Sequence, residues 1–293
     1  MPYNEDNESQ EIYMSEMYES EEAFYRLLSS EAFIHKDLKR SIDNALLGER
    51  LPSAVELNSY IQIDLVEAME KSQAKTSQEA LAQVGFILND EQANDFKLSA
   101  WLLEELICNT IRRKYGWGIP SEESIESILK VLEQSPGLLE IGAGSGLWSA
   151  IIQKRTEKEI IPCELNLRGD TPRPVFCEVQ NIAGETLLEQ YPDYAVLIVW
   201  PDINDMSIKM ARNLTTNNKL IIAGPPSVTG NDLFYEYLDT YFNIDGIIET
   251  NKFSGEVDNM FVLTKRESPN PNPDNYFVNL RNKDKLFKRK SII

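Results

Sequence analysis

Two periodicities divide the chain. From Glu21 to Leu47 apolar residues recur three and four apart, at Phe24, Leu27, Leu28, Phe33, Ile34, Leu38, Ile42 and Leu46, which predicts helix. Ser53 to about Lys71 is a further helical candidate, although Tyr60-Ile61-Gln62-Ile63 also suits a strand. Thr76 or Ser77 caps a short helix through Ile87, and Asp90 starts a longer amphipathic one that carries Phe96, Leu98, Trp101, Leu102, Leu106 and Ile107 to about Arg113. Ser121 then caps a helix running to about Glu133, with Glu122 and Glu123 placed favourably in its first turn. From there the pattern changes to short apolar runs: one begins at Leu138, and others span Glu159–Glu164, Val175–Val179, Tyr194–Trp200 and Lys219–Ala223. Helical segments alternate with them, at Leu147–Gln153, Ala183–Gln190, Ile203–Leu214 and Asn231–Phe242. Asp245–Thr250 and Asn259–Lys265 make a last pair of strands suited to antiparallel pairing at one edge. Alternation of this kind predicts an α/β fold with a doubly wound, mostly parallel sheet of about seven strands.

The same reading divides the chain into an acidic, mostly helical N-terminal region over residues 1–97, a sheet-bearing domain over 98–266 and a C-terminal segment over 267–293. The last begins as an extended Pro/Asn linker, Glu267–Asn275, and continues as a basic tail with Arg281, Lys283, Lys285, Lys288, Arg289 and Lys290.

Chemistry concentrates in Leu138–Gln153, LLEIGAGSGLWSAIIQ, where a strand enters a glycine-rich turn and leaves it as a helix. Such a turn lets a ligand approach backbone N–H groups with no Cβ in the way. Glu140-x-Gly142-x-Gly144-x-Gly146, with Ala143 inside the turn, departs from a dinucleotide fingerprint, whose third glycine would fall where Leu147 stands. It resembles the first motif of the class I S-adenosylmethionine (SAM) dependent methyltransferases. That resemblance covers about residues 115–266 and implies a Rossmann-like sheet that binds SAM.

In an open parallel sheet the ligand lies at the carboxyl ends of the strands. Glu164 ends the second strand where a carboxylate would accept hydrogen bonds from two ribose hydroxyls. By similarity to the methyltransferases, Gln180 or Asn181 after the third strand would recognise the adenine amino group. The fourth strand ends in Trp200-Pro201-Asp202-Ile203-Asn204-Asp205, the family's position beside the transferable methyl. Trp200 and Asp202 depart there from the Asp/Asn-Pro-Pro-aromatic run of enzymes that methylate amino groups. The Trp-Pro pair, with the preceding loop Trp117-Gly118-Ile119-Pro120, is closer to an uncharacterised methyltransferase-like group. Tyr115 and Trp117 are candidates to fold over the cofactor, where a sulfonium gains cation–π attraction. Methyl transfer from a sulfonium needs alignment rather than a dedicated acid–base pair. Asp202, Asp205 or Glu140 would accept a proton if the acceptor requires it.

Composition narrows the classes. The formal net charge of −18 over 293 residues repels polyanions and disfavours a nucleic-acid partner. No apolar run is long enough to span a bilayer, and the acidic start MPYNEDNESQ resembles no secretory or transit peptide, so a cytoplasmic protein without membrane association is expected. Cys108, Cys163 and Cys177 lack metal-ligand spacing, and no metal site is expected. The single histidine, His35, reads as a helix-surface residue in the N-terminal region, which leaves the sheet domain without a histidine base. The expected function is methyl transfer from SAM to a small molecule or protein side chain. The alternative is a non-catalytic SAM-binding or interaction protein on the same scaffold.

Overall fold

Four runs of five residues build the parallel part of the sheet: β1 (Gly137–Ile141), β2 (Glu159–Cys163), β3 (Ala195–Val199) and β4 (Lys219–Ala223). Nearly every residue in them is buried, as expected for parallel strands covered on both faces. The computed structural model describes residues 36–61, 108, 110–165, 174–250 and 259–282. His35, the acidic arm, the helices expected between residues 62 and 107 and the basic residues beyond 282 lie outside the described residues.

Two further strands, β5 (Phe242–Glu249) and β6 (Asn259–Lys265), complete a six-stranded sheet of order β2-β1-β3-β4-β6-β5. The first four pair in parallel, and β6 runs antiparallel to both β4 and β5. The described helices are α1 (Lys36–Ala45), α2 (Ala54–Ile61), α3 (Glu122–Leu132), α4 (Leu147–Gln153), α5 (Gly184–Gln190), α6 (Met206–Asn213) and α7 (Asp232–Tyr241). One core joins Leu139, Ile141, Val196, Ile198, Leu220 and Ile222 to Leu187, Met210 and Phe234 from α5, α6 and α7. The intervening strand residues Leu138, Ile160, Leu197 and Ile221 are buried too, so this is an α/β sheet with both faces covered. The chain steps from β1 to β2 on one side and returns to β3 on the other, which sets the switch point between β1 and β3.

Three expectations are revised. Val175–Val179 is not a strand: only Gln180 pairs with β2, through a single bridge to Cys163. The Phe176 N–H donates instead to Ser145 O (2.9 Å) and the Cys177 thiol to Gly146 O (3.3 Å), so this segment folds onto the glycine turn rather than extending the sheet. The segment after the Pro/Asn run is not an open tail up to residue 282. Residues 276–282 are helical, Phe277 is fully buried against Tyr235 and Phe261, and Arg281 is buried as well. The chain divides into two compact units, Met1–Lys39 with Ser59–Lys114, and Arg40–Asn58 with Tyr115–Ile293. Of the first, only helical residues are described. Arg40–Asn58, expected within the N-terminal region, thus belongs to the sheet unit.

Glu122, in the first turn of α3, explains how that early segment is held. The helix starts in a capping box in which Ser121 Oγ accepts from Ser124 N and Ser124 Oγ from Ser121 N. Glu122 is nearly buried and accepts from Arg50 Nε (2.8 Å), from Leu51 N (2.8 Å) and from both terminal nitrogens of Arg155 (2.9 and 3.1 Å). Burial alone would push this carboxyl up, but the hydrogen bonds from Arg155, Arg50 and Leu51 outweigh it and hold it below the ordinary carboxylate value. Its stabilising contribution is therefore complete at neutral pH and fades as the pH falls through the depressed value. Glu122→Gln should cost about 2–3 kcal/mol at neutral pH, with the difference shrinking below about pH 4, as measured by chemical denaturation.

Candidate functional site

Between β1 and α4 the backbone turns through three left-handed residues, Gly142 (φ 72°), Gly144 (φ 51°) and Gly146 (φ 72°). Residues with a Cβ resist this conformation, which is why glycine recurs at every second position. A Cβ at Gly146 would meet Cys177 Sγ at 2.7 Å and Val179 Cγ2 at 2.9 Å, so that glycine is needed for packing. A Cβ at Gly144 would meet nothing within 4 Å among the described residues.

Gly146 occupies the N-cap of α4 and has no side chain with which to cap it. Glu140 does so from the neighbouring strand. Its Oε2 accepts from Ser149 N (3.0 Å), the third amide of the helix, and from the Ser149 hydroxyl. Glu140 is only 2% exposed, so its carboxylate braces the turn from beneath rather than presenting itself to a ligand. Burial pushes its carboxyl up to about 7 against the Ser149 hydrogen bonds, with the charge of Glu164 adding to the rise.

The sheet brings Glu164 to the same turn. Glu164 Oε2 accepts from Gly144 N at 3.2 Å and its Oε1 from Leu165 N at 2.9 Å. Gln180 is fixed through its backbone, donating to Pro162 O (2.9 Å) and accepting from Glu164 N (3.0 Å), while the side chains of Gln180 and Asn181 are exposed beside it. Ala143 N donates to Cys163 O at 2.9 Å and ties the turn to β2. The glycine turn, Glu164, Gln180 and Asn181 thus gather at the carboxyl ends of β1 and β2.

At the end of β3, Trp200 adopts φ 51°, a conformation rare for a residue with a bulky side chain. Its N–H donates to Ala223 O (2.7 Å), and its indole stacks on that of Trp117, with centroids 5.4 Å apart and planes inclined by 29°. The missing side chain at Gly118 makes this approach possible, since a Cβ there would lie 2.9 Å from Val199 Cγ1 and 3.3 Å from Trp200 Cδ1. The loop is moored to α4 by Trp148 Nε1, which donates to Gly118 O (2.9 Å). Trp117 stands about half exposed at the rim, whereas Tyr115 is only 2% exposed and stacks on Phe176. Of the two aromatics expected to fold over a cofactor, Trp117 stands against Trp200 at the end of β3 and Tyr115 turns inward. Tyr115 is drawn inward because residues 174–177 fold onto the turn and offer it a partner.

Pro201 is buried and its carbonyl accepts from Gly230 N (2.7 Å). Asp202 and Asp205 are exposed. Asp202 accepts from Asn204 Nδ2 (3.3 Å) and Asp205 from Asn231 Nδ2 (3.0 Å). Sequence reasoning passed over Gly224 and Asn231; the N-cap position of Asn231 ahead of α7 was the available signal. Among the described residues no group of His, Cys, Asp and Glu side chains is placed to hold a metal ion, and no helix is long and apolar enough to cross a membrane.

No family model matches the sequence, and no curated protein matches it. Many solved structures are similar to part of the chain, three of which follow. One, described as a hemolysin from Streptococcus thermophilus, is 14% identical over 59% of this chain and 77% of its own, with a TM-score of 0.34. Precorrin-6y C5,15-methyltransferase from Geobacter metallireducens is 13% identical over 53% of this chain and 93% of its own, also with a TM-score of 0.34. A SAM-dependent O-methyltransferase from Thermotoga maritima is 11% identical over 51% of this chain and 67% of its own, with a TM-score of 0.35.

The buried carboxyl makes a test of the site's internal wiring. Glu140→Gln keeps an acceptor for the Ser149 N–H and removes the titrating group. The native value of about 7 lies above the ordinary 4.5, so the stability that Glu140 contributes is whole at low pH and is lost as the pH rises toward 7. Wild-type unfolding free energy should therefore fall relative to E140Q by on the order of 1 kcal/mol per pH unit between about pH 5 and 7. A difference that stays flat across that range, in urea titrations, contradicts the assignment.

Proposed function

We propose that this protein is a SAM-dependent methyltransferase that acts on a small molecule or a protein side chain in the cytoplasm. The observation that carries the reading is the charge at the glycine turn. In phosphate-binding turns the free N–H groups of a helix N-terminus meet an anion. Here the third amide of α4 is already taken by the Glu140 carboxylate, and Gly144 N by Glu164. With those amides taken the turn has few left for a pyrophosphate, and the Glu164 carboxylate beside it favours a ligand with positive charge, such as the sulfonium and ammonium groups of SAM. The open face of Gly144 leaves room for that ligand to lie on the backbone.

In this reading Glu164 exchanges its contact with Gly144 N for the ribose hydroxyls, and Gln180 or Asn181 faces the adenine. The methyl carbon points toward Trp200 and Pro201, where an acceptor enters beside Trp117. A lone pair on the acceptor attacks that carbon in line with sulfur, the carbon–sulfur bond breaks, and S-adenosylhomocysteine leaves with the bonding electrons. Any acceptor proton passes to solvent directly or through Asp202. The three free cysteines fit a reducing compartment.

One observation favours the non-catalytic alternative. Trp117 lies against Trp200 at the place where an acceptor would approach, so the stack must open for transfer. Radiolabelled methyl transfer from SAM into a lysate separates the two readings, since a protein that binds SAM but never labels an acceptor is a binding protein.

Binding is tested by calorimetry with SAM, S-adenosylhomocysteine and NAD: the first two should bind and NAD should not. Asparagine tolerates the left-handed conformation better than other side chains, so Gly144→Asn should cost about 1 kcal/mol of stability. It should nevertheless weaken SAM at least about a hundredfold, equivalent to roughly 3 kcal/mol. Undiminished affinity in folded G144N rules out the cradle.

A further inference from the structure

Arg281 carries a buried guanidinium on the helical residues 276–282, well outside the glycine turn. A buried charge requires partners, and those of Arg281 lie on the loop after β4 and the first turns of α7. Its Nη1 donates to Pro226 O (2.7 Å) and Thr229 O (2.8 Å), its Nε pairs with Asp232, and its guanidinium carbon sits 5.5 Å from the centre of the Tyr235 ring. The fork shape of arginine suits such simultaneous contacts. Thr229 Oγ1 also donates to Pro225 O (2.8 Å) and meets the Tyr235 hydroxyl at 2.8 Å. Residues 225–232 are therefore fastened to the C-terminal segment at several points.

The same loop forms the support of the Trp200-Pro201 turn. Gly230 N donates to Pro201 O at 2.7 Å, and a Cβ at Gly224 would lie 3.4 Å from Trp200 Cα. Asn231 Nδ2 reaches Asn204 O (3.1 Å) and Asp205 Oδ1 (3.0 Å) while its Oδ1 caps α7 through Phe234 N (2.9 Å). A strained residue such as Trp200 persists only where its surroundings over-determine it. The loop supplies that over-determination on one side and Trp117 on the other.

We propose that Arg281 is a positioning residue for the acceptor wall: through Pro226 and Thr229 it holds the loop that keeps Trp200 in its left-handed conformation and in register with Trp117. The C-terminal segment is thus part of the site's architecture. As a statement about transfer, this rests on the methyltransferase reading; as a statement about the indole stack, it does not.

The test reads the stack directly. Stacked indoles give an exciton couplet in circular dichroism, and Trp117→Phe identifies the part of the spectrum due to this pair. Arg281→Met should lose most of the couplet and weaken S-adenosylhomocysteine at least about fivefold while remaining folded. Glu122→Gln, which costs stability elsewhere, should retain both. Should R281M fail to fold, Arg281→Lys keeps the charge without the fork and should lower the couplet and speed exchange of the Gly230 and Trp200 amides. A folded Arg281 variant with an intact couplet, protected amides and unchanged affinity overturns the proposal. If the wild type binds no S-adenosylhomocysteine but R281M still loses the couplet, the cofactor reading falls and the positioning role stands.

Discussion

Helix α4 begins at a glycine that cannot cap it, and the cap comes from Glu140 on the adjoining strand. That one contact sets the geometry of the crevice. By holding Ser149, Glu140 fixes the start of α4 against β1, and the backbone between them has only the five residues 142–146 with which to close. Closure over so short a span forces three left-handed residues, and glycine supplies them. The acid and the glycines are thus one device. An uncapped helix start would leave its amides for an anion, whereas this one is already satisfied by a carboxylate.

The consequence for chemistry is electrostatic. Glu140 lies under the turn and Glu164 beside it, and burial, aided by the charge of Glu164, raises the carboxyl of Glu140. Trp117, Trp200 and Pro201 give the end of β3 an apolar surface, with Asp202 and Asp205 exposed beside it.

The end of β3 depends on parts distant in sequence. The loop of Trp117 is moored to α4 through Trp148, so the aromatic rim moves with the glycine turn. The turn at Trp200-Pro201 is held by the loop after β4, and that loop by Arg281 near the end of the described chain. Strain at Trp200 is sustained by partners from three separate stretches of sequence.

Local patterning determined a good deal. The apolar runs at 137–141, 159–163, 195–199 and 219–223, the capping box at Ser121 and the left-handed glycines are encoded by neighbouring residues, since burial on both faces, helix capping and backbone freedom are short-range demands. That Glu164 and the glycine turn lie at adjoining strand ends was legible too, because parallel strands bring successive carboxyl ends together, but the hydrogen bond from Gly144 N to Glu164 was not. What sequence could not decide was which residues compete for the same partner. Val175–Val179 has the composition of a strand, yet Phe176 and Cys177 find their hydrogen bonds on the glycine turn. Tyr115 and Trp117 are two residues apart and equally aromatic, yet one stacks inward on Phe176 and the other stands at the rim on Trp200. The segment around Phe277 and Arg281 reads as a polar tail until the sheet presents a place for the ring and two carbonyls for the guanidinium. Those outcomes depend on long-range packing, in which a side chain's partner is chosen by where the backbone has already placed every alternative.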